Sequence, residues 1–433
     1  MLKTIIDWFG TWLLGARPQP VGPPVQPVRE HDRAPVPPPP PSPARARPPR
    51  RNDISRIIAA FDCAHPVRQR KDLHGRQDKL DTLFDAVLFN RQHAIIHGAR
   101  GSGKTSLAQV FGDYADQQSA VVIYVACEPT VSFAELMRPY FNFIPESCVP
   151  FSEKAHFERD KQALSGDFGP RELVDFLSRL SPERQIIMIL DEFDRVENPL
   201  IDRQVATLMK LLSDAQAPVQ LLIVGIAHTL DDLIDCHPSL RRHLVPIPIG
   251  RISQRDVMKL IEAGSEIARI RFDEVVKARI VALACGSPYH AQLFCYVSAI
   301  EAVKHNTDTV DLDIFHLGLR RACQAWGTLN ERDYEHFATL VGGSAADVAR
   351  VELAAREAAA RDELSPDAAT TQLLGDALAP IGETRAMFRD STAPQFLLAM
   401  IALERVRASG DATVAAPSSE VDDRDDPPLS IAV

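Results

Sequence analysis

Gly98, Ala99, Arg100, Gly101, Ser102, Gly103, Lys104 and Thr105 stand in the order G-x-x-x-x-G-K-[ST], a spacing that can hold a chain of phosphates. The glycines let the backbone turn its N–H groups inward on phosphate oxygens. A helix starting at Gly103 adds its partial positive charge. Lys104 is long enough to reach β- and γ-phosphates, the Thr105 hydroxyl can complete the shell of a Mg²⁺ ion, and Ser106 follows in the same helical turn. The plain alternative is a glycine-rich turn with a surface lysine. Against it stand the apolar strand Ala94–His97 just before the loop and the helical pattern just after. The segment implies a nucleoside triphosphate site.

Such a loop needs a carboxylate from a second strand. Gln185 to Leu190 is an almost wholly apolar run that delivers Asp191 and Glu192 at its carboxyl end, where ligands of open α/β sheets sit. Asp191 would hold Mg²⁺, directly or through water, and Glu192 is placed to polarise an attacking water as general base. Two strand-end acids at a surface turn are the alternative. The phosphate loop upstream favours the chemical pair.

The elements that must position these groups follow from hydrophobic period. The folded body is expected from about Asn52. A helix running to Phe89 is followed by strand 94–97, the loop, helix Lys104–Tyr114 and a strand over Ala120–Ala126. Residues 130–180 read as helical with a loop near Ser165–Pro170. Helix Ile201–Ser213 and strands Val219–Ile226 and Leu244–Ile249 come next. Apolar strands alternating with helices predict a parallel sheet covered on both faces, an α/β fold. From Ser253 to about Gly327 the pattern is entirely helical. Arg332 to Val406 adds helices and one β-hairpin near Gly382–Phe388.

The ends differ from the body. Met1–Gly15 predicts an amphipathic helix with Leu2, Ile5, Ile6, Trp8, Phe9, Trp12 and Leu13 on one face. It is too short to cross a bilayer and lacks a cleavage site. Three readings stay open: a helix in the membrane interface, a docking peptide for a protein, or a segment folded back on its own domain. Residues 17–51 hold 14 of the 33 prolines, which predicts an extended, solvated linker. The 433 residues carry a net charge of −10, and residues 331–433, with 19 acids against 9 basic groups, account for all of it. That balance weighs against strong non-specific DNA binding there. The tail from Arg407 reads as disordered. Seven scattered cysteines with no C-x-x-C pair fit reduced thiols in a cytosolic protein rather than a disulfide frame or zinc site.

The intervening strand at Ala120–Ala126 resembles the arrangement of AAA+ and STAND ATPases. The run Leu73 to Leu80 (LHGRQDKL) is similar to the GR-x-x-x-L box that opens origin-recognition-like members, near their adenine site. Ile223–Leu230 resembles their fourth strand, which makes His228 the match for a γ-phosphate sensor that is commonly Asn. His237–Leu244 is similar to the arginine-finger segment, with Arg241 the better match and Arg242 the reserve. Cys285–Phe294 resembles the G-x-P lid motif, which places Pro288 at the nucleotide and Tyr289 where origin-recognition proteins have a sensor arginine. Each has a plainer reading: a satisfied strand-end histidine, surface cations, a helix-starting proline. Residues 332–406 faintly resemble a winged-helix end.

The resemblance implies a P-loop NTPase of the ASCE type with a helical lid and a small, mainly helical C-terminal domain. The expected division is 1–15 amphipathic helix, 16–51 linker, 52–250 ATPase domain, 251–330 lid, 331–406 winged-helix-like module and 407–433 acidic tail. The implied activity is slow, Mg²⁺-dependent ATP hydrolysis by a cytoplasmic switch or assembly factor. The substitutions at His228 and Tyr289 are what argue against fast turnover. Lys104, Glu192 and Arg241 would be catalytic, with Arg241 supplied in trans by a neighbouring subunit. The loop residues, His228 and Pro288 would bind ATP, and Thr105 and Asp191 would bind the metal. Residues 1–15 would meet a protein or the inner face of a membrane. Two alternatives are a DNA-associated loader or transposition-type ATPase, and a non-hydrolysing ATP-bound scaffold.

Overall fold

The computed structural model describes residues 51–129, 132–225 and 238–409. The amphipathic segment 1–15, the proline-rich segment, the acidic tail beyond 409 and His228 lie outside the described residues. Five strands form one parallel sheet: β1 (His93–His97), β2 (Val121–Ala126), β3 (Ile186–Asp191), β4 (Val219–Gly225) and β5 (Leu244–Pro248). Their order across the sheet is β2-β3-β4-β1-β5. The strand that follows the phosphate loop in sequence, β2, thus lies at the edge beside β3. The strand that stands between β1 and β3 in space is β4.

Side-chain alternation divides the sheet's two faces. Ile186, Met188 and Leu190 of β3 join α4 (Phe133–Asn142), α6 (Pro170–Leu177) and α7 (Pro199–Asp214) in one core. Ile187 and Ile189 face the other core, made with α2 (Gln77–Phe84) and α3 (Lys104–Gln117). β3 and β4 are buried along their whole length because helices cover both faces. The edge strand β5 tolerates Pro246 and Pro248, since an edge leaves one row of N–H groups unused. Between β2 and β3 the predicted helical stretch consists of α4, α5 (Lys154–Ala163) and α6, joined by 3₁₀ turns.

β1 is fixed at its base by the buried imidazole of His93. Its Nε2–H donates to the Met209 carbonyl at 2.9 Å, and its Nδ1 accepts the Leu221 N–H at 2.9 Å. One ring so joins β1, α7 and β4 as a neutral tautomer.

Past β5 the chain enters a helical region of α8 (Gln254–Ala268), α9 (Glu274–Ala284), α10 (Pro288–Lys304) and α11 (Leu312–Leu329). It is not purely helical. Two short parallel strands, β6 (Arg271–Phe272) and β7 (Thr309–Val310), clasp the helix ends. At two residues each they leave no period-2 signature to read. The first described helix, α1 (Arg51–Ala60), lies on this lid, with Phe61 edge-on to Phe272 and against Gly264. Then come α12 (Glu331–Val341), α13 (Ala345–Arg361) and α14 (Ala368–Leu374), the antiparallel hairpin β8 (Leu378–Ile381) and β9 (Arg385–Phe388), and α15 (Ala393–Ala408). Lid and C-terminal module share one continuous core. Trp326 of α11 stacks on Phe337 and Phe396 with centroids at 5.8 and 5.0 Å, and its indole N–H donates to Asp390 at 2.7 Å. No described helix is long and apolar enough to cross a membrane.

Two buried histidines make stability pH-dependent. Burial pulls His93 down to about 4 and His290, which Arg251 also opposes, to about 3. Both sit below the unfolded value of about 6.5, so the unfolded chain binds more protons and stability falls as pH drops below that value. Going from pH 7 to pH 5 should cost about 2 kcal/mol per histidine, seen as a lower urea midpoint. His93→Gln should show a shallower pH slope than the wild type, whatever its absolute stability.

Candidate nucleotide site

The phosphate loop spans the turn between β1 and α3. Gly98 has φ of +153°, and a Cβ there would overlap the Ile249 carbonyl oxygen, so only glycine lets β5's end lie so close. Gly101 and Gly103 also have positive φ, +69° and +92°, which curls the loop over the start of α3. Lys104 is folded into the loop, its Nζ donating to the carbonyls of Gly98 at 2.9 Å and Ala99 at 2.8 Å. Burial lowers the Lys104 pKa, while Asp194 and Asp191 push it back up. Arg100 is exposed at the loop's crest, and Ser102 is buried with its hydroxyl on the Ala99 carbonyl at 2.8 Å.

Asp191, 3% exposed, ends β3 facing this loop. Its Oδ1 accepts the Thr105 hydroxyl at 3.4 Å and the Glu192 N–H at 2.9 Å, and its Oδ2 takes the Tyr124 hydroxyl from β2. The tyrosine's own proton is held tightly: burial and then the adjacent carboxylate push its pKa far up. Glu192 adopts a left-handed backbone, φ +54°, which is uncommon for a residue with a Cβ. Its carboxylate is half exposed, reaches the cavity edge and pairs with Arg195 at 2.9 Å.

These groups open on a cavity of about 350 Å³. Its far side was not legible as a site: the loop from Cys63 to Val67, with Leu260, Tyr289 and Gln292 of the lid. That loop is set by the Asp62 carboxylate, which accepts the Ala64 and His65 N–H groups at 3.0 Å each, and by the Val67 N–H donating to Ser106 Oγ at 3.1 Å. The aspartate turn is a local signal, but nothing in the sequence ties it to a phosphate loop 30-odd residues on. Leu73, His74 and Arg76 of the quoted box line the cavity as well. Arg76 is the largest omission from the sequence-derived site. It is 5% exposed, and its guanidinium donates to the Ser102 carbonyl at 3.1 Å and to the Gly250 carbonyl. Burial pulls its pKa to about 10, which still leaves it cationic at neutral pH.

Residues 73–224 match the AAA ATPase domain family. This segment is an AAA ATPase domain. No curated protein matches the sequence. Among solved structures, Cdc6p from Pyrobaculum aerophilum is similar at 14% identity and a TM-score of 0.45, over 80% of this chain and 98% of that one. The ORC2 protein of Aeropyrum pernix is similar at 15% identity and a TM-score of 0.43, over 81% and 98%. The Thermotoga maritima RuvB Holliday junction branch migration motor is similar at 13% identity and a TM-score of 0.41, over 75% and 96%.

The AAA domain brings the phosphate loop, Thr105, Asp191 and Glu192 together around one cavity. From the lid, Pro288 lines the same cavity as the first residue of α10, capped by Ser287. Tyr289 reaches the loop itself: its Cβ lies 3.5 Å from where a Cβ on Gly101 would be. Arg241 and Arg242 are exposed on a 3₁₀ turn before β5 and do not line the cavity of their own chain.

Arg76 should be essential to this arrangement. Arg76→Met keeps the buried volume but leaves two carbonyls unpaired, and should cost about 2–4 kcal/mol, measured by urea unfolding. Arg76→Lys should recover only part of it, since an ammonium cannot span both acceptors as a planar fork does.

Proposed function

We propose that the chain binds ATP with Mg²⁺ and hydrolyses it slowly, as a switch or assembly factor controlled by nucleotide state. The observation that supports this best is the convergence of Thr105 and Asp191, 86 positions apart in the chain and 3.4 Å apart in space. A hydroxyl and a carboxylate beside a phosphate-binding lysine are hard oxygen donors of the kind Mg²⁺ takes when a triphosphate supplies its remaining ligands. The residues therefore fit the ion. Bound there, Mg²⁺ would neutralise charge on the phosphate oxygens.

The chain's own groups have distinct tasks in this reading. Gly98 to Ser106 hold the phosphates by backbone N–H groups, and Lys104 exchanges the Gly98 and Ala99 carbonyls for phosphate oxygens. Tyr124 fixes the carboxylate of Asp191 so that it faces Thr105 and not solvent. Glu192 accepts the proton of the attacking water, for which it must part from Arg195. That pair is exposed on both sides and weak, about 0–1 kcal/mol, so the cost is small. Slow turnover is supported by the lid, whose cavity-lining residues Leu260, Pro288, Tyr289 and Gln292 carry no cation. Charge developing on the phosphates is then met from this chain mainly by Lys104. Arg241, exposed and away from its own cavity, is suited to serve a neighbouring copy. His228, which the resemblance aligns with a sensor, would touch the γ-phosphate.

Charge pairing speaks for protein contacts rather than DNA in the C-terminal module. Arg385 of the hairpin is paired with Glu363 at 2.9 Å, Arg389 donates to the Asp376 carbonyl at 2.9 Å, and Arg332 pairs with Asp376. Arginines engaged by acids in this way are poorly disposed to displace counterions from phosphates. The segment 1–15 would supply a contact to a partner protein or a membrane surface.

Turnover by wild type, Lys104→Ala and Glu192→Gln checks the reading. Lys104→Ala should lose ATP binding, and Glu192→Gln should bind ATP yet turn over at least about 100-fold more slowly. Equal rates in all three would overturn the assignment, and ATP binding without turnover in the wild type would favour the scaffold. A specific rate that rises with protein concentration in the wild type but not in Arg241→Ala is expected if that arginine acts in trans.

A further inference from the structure

Gly250 and Arg251, at the junction of AAA domain and lid, face two ways. The Gly250 carbonyl takes Arg76, whose other bond is to Ser102 of the phosphate loop. The next residue, Arg251, pairs through its guanidinium with Asp362, the residue that ends α13 in the C-terminal module. This is not a surface pair: the side chains are 11% and 32% exposed, so salt and water screen it little. Neighbouring contacts fix the arginine's backbone. The Ile252 N–H donates to the Gly286 carbonyl at 2.9 Å, and a Cβ on Gly286 would lie 2.8 Å from Arg251 Cβ. One donor of the guanidinium, Nε, is buried with no acceptor. Asp362 is also within electrostatic reach of the Lys104 ammonium, each favouring the other's charged form. A carboxylate from the last module thus stands in the field of the lysine that would take the phosphates, on the one arginine at the lid's root.

We propose that Arg251 and Asp362 form a latch through which the C-terminal module senses a γ-phosphate, an inference that rests on the reading of the cavity as an ATP site. A triphosphate beside Lys104 repels the Asp362 carboxylate and competes with it for Arg251, which has a free donor to offer. A diphosphate carries less charge at that end and leaves the pair closed. Triphosphate binding and the Arg251–Asp362 contact are therefore antagonistic, and by linkage each weakens the other equally. This gives the lid a cation for the γ-phosphate at a position other than Tyr289, and makes its use conditional on release of the module.

The test uses the full-length chain and measures the dissociation constants of ADP and of a slowly hydrolysed ATP analogue. Asp362→Asn keeps the left-handed backbone that asparagine tolerates and removes only the charge. It should tighten the triphosphate analogue by about five- to tenfold and ADP by clearly less. Arg251→Ala should weaken the analogue, and in the double variant the gain from Asp362→Asn should vanish. Hydrogen exchange at residues 358–366 of the wild type should rise with the analogue and not with ADP. If the wild type binds both nucleotides and Asp362→Asn leaves their affinity ratio within twofold, the latch is overturned and the ATP site stands. If the wild type binds neither, the site reading falls and takes the latch with it.

Discussion

The buried guanidinium of Arg76 is the constraint on which the site depends. A charge taken out of water is stable only where its donors are met, and here the acceptors are two main-chain carbonyls from different parts of the chain, Ser102 and Gly250. The first fixes the crest of the phosphate loop. The second fixes the point where the sheet ends and the lid begins. Neither carbonyl belongs to a helix or strand ladder, so without the arginine both would be polar groups facing protein. The positions of loop and lid relative to one another are set by a single side chain, itself carried in by the turn before α2.

The sheet does the rest by placing ends next to ends. In a parallel sheet every strand delivers its carboxyl end to the same edge, so β1 and β3 present the loop and Asp191 side by side although β4 lies between them. The gap left by β4 is what lets Thr105 and Asp191 face each other across a space a metal ion and phosphates can share. Tyr124, one strand further out on β2, then closes the carboxylate from behind. The left-handed turn at Glu192 sends the next carboxylate out toward the cavity edge rather than down the strand axis.

Those parts were legible in the sequence because they are local. A glycine-spaced loop between an apolar strand and a helix, and an apolar run ending in two acids, carry their meaning within about ten residues. The hairpin, with Gly382 at its turn, and α7 with its 3.6 period, were readable for the same reason. What escaped was produced by contacts remote in sequence. Arg76 looked like one letter of a box, and its role appears only when Gly250, 174 positions on, is brought against it. Cys63 to Val67 are an ordinary turn until Val67 meets Ser106. The lid and C-terminal module, separable by their patterns, prove to share a core because Trp326 stacks on Phe337 and Phe396 on either side of the boundary. β6 and β7 are too short to print any period at all.

That shared core has a mechanical consequence. Interiors packed at crystal-like density transmit displacement instead of absorbing it, so α11 cannot move without carrying α15. The lid residues at the cavity, Leu260, Pro288 and Tyr289, belong to helices or turns rooted in this same core, and Tyr289 touches the phosphate loop directly. A ligand that changes the distance between loop and lid therefore displaces the C-terminal module as a body, with α1 and whatever chain precedes it attached to the lid on the other side. The nucleotide site and both ends of the folded chain are joined by packing, and a switch needs no further wiring than that: two arrangements of one rigid lever, biased by what occupies the space between Lys104 and the lid.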